Sequence, residues 1–319
     1  SMINMDGPPH SFRRGIVKNG FTVRRVVDYE PYLRTKVGEL LDAAADHGEC
    51  DLVADIATPL PMYMIGNLMG LPETDHARLL HWSDLFAAGD AELVDQIERA
   101  ILEWNDYILG HAAQVRGRGN HDLISLMCDA ERDGQRLNDV DLMFESMLVL
   151  VGGDETTRHV ISAGADVLLR HPDQLARLRD DPGLIPAAVE EMLRWATPVK
   201  NMNRTATRDV ELCGQSIREG DRMLLLYPSA NRDEAVFEDP YRFDVTRDPN
   251  PHVAFGAYGR HHCLGAPLAR LELKVLFEEL LDRFDEIELT EPDRPARLRR
   301  GNFVVGPERV PVRLRRRAA

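Results

Sequence analysis

The 319-residue chain is poor in lysine, in cysteine and in long apolar runs, and each shortage narrows what it can be. Lysine occurs only at Lys18, Lys36, Lys200 and Lys274, so arginine supplies nearly all the positive charge, a bias of genome composition rather than of function. Basic residues are outnumbered, 39 against 53 acidic ones, for a net charge of −14. Binding a polyanion takes a basic face that neutralises phosphates, so nucleic acid is not an expected partner. The four cysteines, Cys50, Cys128, Cys213 and Cys263, have no paired spacing and do not make the disulfide framework of a small secreted protein. The longest near-continuous apolar run, Met147 to Gly153, is too short to cross a bilayer, and no charged-then-apolar signal segment opens the chain. The expectation is a cytoplasmic protein with no membrane span.

What is present describes a globular chain. Hydrophobic residues make up 44% and charged residues 29%, which excludes disordered and collagen-like classes and leaves enough chain for a large core. No repeat or low-complexity linker marks a boundary, so residues 1–319 are read as one domain, with Ser1-Met2 set aside as a tag-cleavage scar. Apolar residues at helical spacing predict helices over Tyr29 to His47, Pro61 to Met69 and Ala91 to Arg116. A longer periodic stretch starts at Asn138, an N-cap with Asp141 three residues on, and stops at about Arg170, before His171-Pro172. At 1.5 Å per residue it makes a helix of about 45 to 50 Å, enough to traverse a domain. Helices from Pro172 and over Pro186 to Trp195 follow. The texture then changes to short strands, Arg204 to Cys213 and Arg222 to Tyr227, and to a loop-rich stretch over 231–265. Pro267 fits the first turn of a last helix, which runs to about Phe284. Weak strands are expected near Ile287 and Val304, and the Arg-rich end, Arg313 to Arg317, reads as a solvated tail. The fold class is mainly α with a small β portion.

Four motifs carry chemistry. In HVAFGAYGRHHCLGAPLARLE, His252 to Glu272, Cys263 sits between a Gly-rich loop and a helix N-terminus, where free amides and the helix dipole favour a thiolate and glycines admit a bulky planar group. His252, His261, His262 and Cys263 are also zinc-ligand types, but adjacent residues seldom all reach one tetrahedral ion. In GGDETT, Gly152 to Thr157, two glycines inside a helix cost about 1 kcal/mol each relative to Ala and call for a reason, such as the close approach of a ligand. Glu155 and Thr156 there pair an acid with a hydroxyl, the group types that relay protons. Glu191 and Arg194 form an ExxR pair on one helix face, followed downstream by Pro240-Tyr241-Arg242-Phe243. His10 and Arg14 share a helical face as HxxxR.

Together, and in this order along the whole chain, these motifs resemble the cytochrome P-450 family of haem-thiolate monooxygenases. GGDETTRH, EEMLRWATPVKNMNR and ANRDEAVF are most similar to a bacterial branch that oxidises sterol side chains. The resemblance implies a cytochrome P-450-like helical fold holding haem b, with Cys263 as axial ligand. The spacing from Phe255 to Cys263 is eight residues, one more than is usual in the family. Glu155 and Thr156 are implied as the catalytic acid-alcohol pair. His10, Arg14, Arg204 and His261 are implied as propionate contacts, with Gly152, Gly259 and Gly265 bordering the haem. Glu191, Arg194 and Arg242 are implied as a buried structural network, and Val149 and Leu150 are candidates for the pocket wall. A ferredoxin-type protein is implied as electron donor, docking near Arg260 and Arg270. The implied lipophilic substrate, a sterol or steroid side chain, would be hydroxylated with dioxygen. Family members carry more sequence before the HxxxR helix, so the implied fold is N-terminally truncated, and the alternative expectation is a haem-free remnant serving as a binding or oligomeric module.

Overall fold

The computed structural model describes residues 1–88, 91–132, 134–256 and 259–317. Among these the α-helices are α1 (Gly7–Val17), α2 (Val23–Asp28), α3 (Glu30–Asp46), α4 (Pro59–Met69), α5 (His76–Ala88), α6 (Val94–Val115), α7 (Leu123–Asp129), α8 (Asp139–Leu169), α9 (Pro172–Asp180), α10 (Ile185–Ala196), α11 (Tyr227–Ala230) and α12 (Ala266–Arg283). The strands are β1 (Glu49–Asp51), β2 (Asn201–Thr205), β3 (Val210–Leu212), β4 (Gln215–Ile217), β5 (Arg222–Leu226), β6 (Phe284–Leu289) and β7 (Pro311–Arg316). No described helix is long and apolar enough to cross a membrane.

Helix α8 is the axis of the molecule. Its 31 residues span about 46 Å, and its first turn is capped as the sequence suggests, the Asn138 side chain accepting from the Asp141 amide at 2.8 Å. Helices α4, α5, α6 and α10 pack around it. Two glycines permit the closest approaches. A Cβ on Gly153 would lie 2.6 Å from Ile65 of α4, and one on Gly164 would lie 3.0 Å from Met192 of α10. Beside this axis, Trp82 of α5 and Trp104 of α6 are fully buried and meet edge-to-face with ring centroids 5.6 Å apart.

The β portion differs from the sequence reading in three places. The expected strand over 204–213 is two strands: β2 pairs with β5, and β3 with β4. Cys213 and Gly214, at φ 50° and 76°, form the two-residue turn between β3 and β4, since a hairpin of that length needs positive φ at both positions. Val304 makes only an isolated bridge to Val199. The supposed tail is β7, the middle strand of the sheet β1-β7-β6. Alternation explains it: Val312 and Leu314 point into the core, while Arg313 and Arg315 reach Glu49 and Glu286 on the outside.

Candidate active site

An open cleft lies where the middle of α8 faces the start of α12 and the loop before it, with residues of α1 and β2 also lining it. Its wall is mostly apolar. Leu148, Val149 and Val160 come from α8, Ile65 from α4 and Phe255 from the loop. Met2, set aside in the sequence reading, is buried in this wall, and its amide donates to Glu145 at 2.8 Å. Leu150 is not part of the wall but fully buried in the core, because a one-residue step on a helix turns the side chain away by about 100°.

Cys263 forms part of the cleft floor. The residue is exposed where it borders the cleft. Burial pushes the thiol up, and the amides of Gly265 and Ala266 at the start of α12 and the charges of Arg14 and Arg270 pull it back. The Cys263 amide donates to the Phe255 carbonyl at 3.0 Å, so the loop folds back on itself around the sulfur. Gly265 also borders the cleft, and Gly259, at φ 135°, does not.

The polar rim comes from two distant stretches of chain. His10 and Arg14 of α1 meet His261: the His10 and His261 rings lie 4.3 Å apart, and Arg14 Nη2 donates to the His262 carbonyl at 2.5 Å. His261 Nε2 contacts Asp6 at 3.1 Å. Burial, His261 and Arg14 lower the pKa of His10, whose Nδ1 has no hydrogen-bond partner. Arg204 stands outside this group. Its side chain is exposed on β2 and donates to the Asn203 carbonyl, whereas Met202 is the β2 residue in the wall.

On α8 the two members of the acid-alcohol pair face different ways. Thr156 borders the cleft, its Oγ1 donating to the Gly152 carbonyl at 2.8 Å, and a Cβ on Gly152 would meet nothing within 4 Å. Glu155 is buried on the other side of the helix, 3.0 Å from Arg158, 3.4 Å from His159 and 3.5 Å from Arg299. Burial alone would raise its carboxyl, but His159, Arg158, Asp84 and Arg299 bring it down to about 2. Two other acids behave in the opposite way. Asp154 is fully buried with one oxygen unpaired, and burial raises it to about 7 against the pull of Arg158. Glu272 of α12 is buried in the cleft wall with Oε2 unpaired, and burial with the nearby Asp154 raises it well above the carboxylate range. The sequence reading assigned Glu272 no role. The available signal was an acid on the apolar stripe of α12, four residues after Leu268 and four before Leu276.

The ExxR pair is fully buried. Arg194 binds both oxygens of Glu191 at 2.7 Å and donates to the carbonyls of Asn231, Pro240 and Arg242. The expected contribution of the Arg242 side chain is corrected. A turn closed by its amide on the Asp239 carbonyl points it outward, 57% exposed and 3.8 Å from Asp244. Arg247 supplies the second guanidinium, 3.2 Å from Glu191. The zinc-type residues diverge, His252 binding Glu190 and His261 binding Asp6, and no cluster of three or more metal-ligand side chains occurs among the described residues.

The cytochrome P450 family model matches residues 183–313. The steroid C26-monooxygenase of Mycolicibacterium smegmatis is 44% identical over 98% of this chain and 78% of its own length. The chain belongs to the cytochrome P-450 family. A methyl-branched lipid omega-hydroxylase of Mycobacterium tuberculosis is 40% identical over 98% of this chain and 74% of its own. Among solved structures, cytochrome P-450 PksS of the Bacillus subtilis 168 bacillaene polyketide synthase superposes with a TM-score of 0.93 at 36% identity, covering 98% of this chain and 81% of that one. This cytochrome P-450 is a monooxygenase with haem b as cofactor. The cleft fits that group. An apolar slot suits the flat macrocycle, a cysteine sulfur at a helix N-terminus suits the iron, and a cationic rim with an unpaired His10 nitrogen suits the carboxylates.

Proposed function

We propose that this cytochrome P-450 hydroxylates the terminal part of a sterol side chain. The observation that carries the reading is the 44% identity to a steroid C26-monooxygenase across nearly the entire chain, together with an apolar cleft running along α8 past Thr156. The omega-hydroxylase relative supports the same regiochemistry, oxidation at the end of a branched alkyl chain. When bound, haem b supplies dioxygen activation and insertion of one oxygen atom into a carbon-hydrogen bond, favoured by thiolate ligation.

The chain's own residues divide the remaining work. Cys263 Sγ holds the iron, the amides of Gly265 and Ala266 stabilising its negative charge. His10, Arg14 and His261 hold the carboxylates at the rim. Leu148, Val149 and Ile65 exclude water and orient the alkyl chain. Thr156 Oγ1 passes a proton toward the reacting centre, a hydroxyl that already donates within the wall. Glu272, kept protonated by burial, holds a proton on the same wall. Glu155, paired and ionised, anchors α8 to Arg299 and reaches the cleft only if those pairs open. A ferredoxin-type protein supplies the electrons.

The test is a titration of the haem-loaded protein with cholest-4-en-3-one, following the haem absorption, and mass spectrometry of the product after turnover with a ferredoxin system. A shift with oxygen on the terminal side-chain carbon is expected, and a steroid without the alkyl side chain should give a weaker shift. Ring oxidation, or equal response to both steroids, overturns the side-chain reading.

A further inference from the structure

Outside the lining of the cleft, Glu190, Arg270 and His252 form a three-residue clamp around the ligand loop that the reading above does not use. Glu190 of α10, next to the ExxR glutamate, accepts from Arg270 Nε and Nη2 at 2.6 and 2.7 Å and meets His252 Nε2 at 3.0 Å. The Ala254 amide donates to His252 Nδ1 at 3.2 Å, so Nδ1 is the acceptor and Nε2 carries the hydrogen given to Glu190. His252 stands where the chain enters the ligand loop and Arg270 in the helix that leaves it. One carboxylate therefore ties both ends of the loop to α10. The Arg270 guanidinium also lies over the Phe255 ring, 4.6 Å from its centroid, and Phe255 provides the carbonyl that receives the Cys263 amide.

We propose that Glu190 is a positioning residue for the haem thiolate, which fixes Arg270 against the ligand loop and offsets its positive charge at the Cys263 sulfur. The proposal rests on Cys263 being the iron ligand and goes beyond it. An unbalanced guanidinium beside the sulfur draws electron density from the iron and favours the reduced state. Removing the guanidinium instead leaves Glu190 unbalanced and disfavours it. A clamp that only held the loop in shape would move both variants in the same direction.

The experiment is spectroelectrochemical titration of the haem-loaded wild-type protein, Glu190→Gln, Arg270→Gln and the double variant, with the reduced carbon monoxide spectrum of each recorded in parallel. At the wild-type midpoint, Glu190→Gln should raise the reduced-to-oxidised ratio about threefold and Arg270→Gln should lower it about threefold, the size of one partly screened charge. The double variant should return toward wild type. If Glu190→Gln takes up no haem, Arg270→Gln alone decides through the sign of its shift, with Arg270→Lys restoring the ratio. Shifts of the same sign, or none, with thiolate spectra intact overturn the proposal. Absence of a thiolate spectrum in the wild-type protein overturns instead the ligand assignment beneath it.

Discussion

Two groups of acids, the half-buried Glu190 with the fully buried Glu191 on α10 and the pair Asp154 and Glu272 around the middle of α8, are treated in opposite ways. Glu190 and Glu191 have every oxygen engaged by guanidinium, imidazole or amide donors. Burial raises Glu190, yet Arg270 and His252 outweigh it and hold the carboxyl at about 2. Asp154 and Glu272 each keep an oxygen with no partner, and burial drives both toward the neutral form. A buried carboxylate with full partners is a fixed charge that builds structure, whereas one left short of partners retains a proton that it can give up. The first group frames the loop before α12, and Glu272 of the second lines the cleft.

The comparison is broken most directly at its pivot. With Cys263 proposed as the iron ligand, Cys263→Ser should abolish the thiolate-type carbon monoxide spectrum while circular dichroism shows the helices retained. Persistence of that spectrum would remove Cys263 from the metal. Next in size, Glu191→Ala should cost about 3 to 5 kcal/mol in denaturant unfolding, since it strands the fully buried Arg194. Arg242→Ala should cost less than about 1 kcal/mol, its guanidinium being mostly exposed. Equal losses would mean that the exposed arginine belongs to the network.

On α8 the contrast is sharpened by pH. Asp154 titrates at about 7 in the folded chain against 3.8 when free, so the folded state keeps a proton that the unfolded state has lost. Its contribution is full below 3.8 and is lost as pH rises toward about 7. Glu155, at about 2 against 4.5, contributes above 4.5 and loses that contribution as pH falls toward about 2. Urea midpoints measured across this range should show Asp154→Asn removing the decline between mildly acidic and neutral pH, and Glu155→Gln removing the decline on the acid side. Identical pH profiles for the two variants would dissolve the distinction.

A smaller effect separates wall from core. Leu150→Ala should destabilise by about 2 to 5 kcal/mol with little change in ligand binding. Val149→Ala should instead weaken sterol binding by about 1 kcal/mol, read from the spectral titration, with a smaller loss of stability.

The distribution of these effects follows what was legible in the chain. The long helix, its Asn138 cap and its end were readable because hydrophobic period and capping chemistry are local properties. Cys263 was readable for the same reason, since a glycine loop running into a proline-started helix announces an amide-rich site without knowledge of the rest. The arginine-rich end was misread because an alternating strand with two apolar positions is recognisable only beside the strands that cover it. Arg242 is expected in the network from its place in Pro240-Tyr241-Arg242-Phe243, but only the turn at Asp239 turns its guanidinium outward and leaves Arg247 to reach Glu191.

Sequence by itself determined the helical frame, the place of Cys263 just before a helix N-terminus and the family. It did not determine which way adjacent side chains face: Thr156 into the cleft and Glu155 out of it, Val149 in the wall and Leu150 in the core. Those choices depend on helix rotation, which is set by packing of α4, α5 and α10 around α8 rather than by the helix's own residues. Charge state was likewise decided in three dimensions. Asp154, Glu155 and Glu272 are carboxylic acids alike in sequence. What separates them is the number of donors that distant segments such as Arg299 bring within reach in a low-dielectric interior, where an unpaired charge is costly and a paired one is fixed.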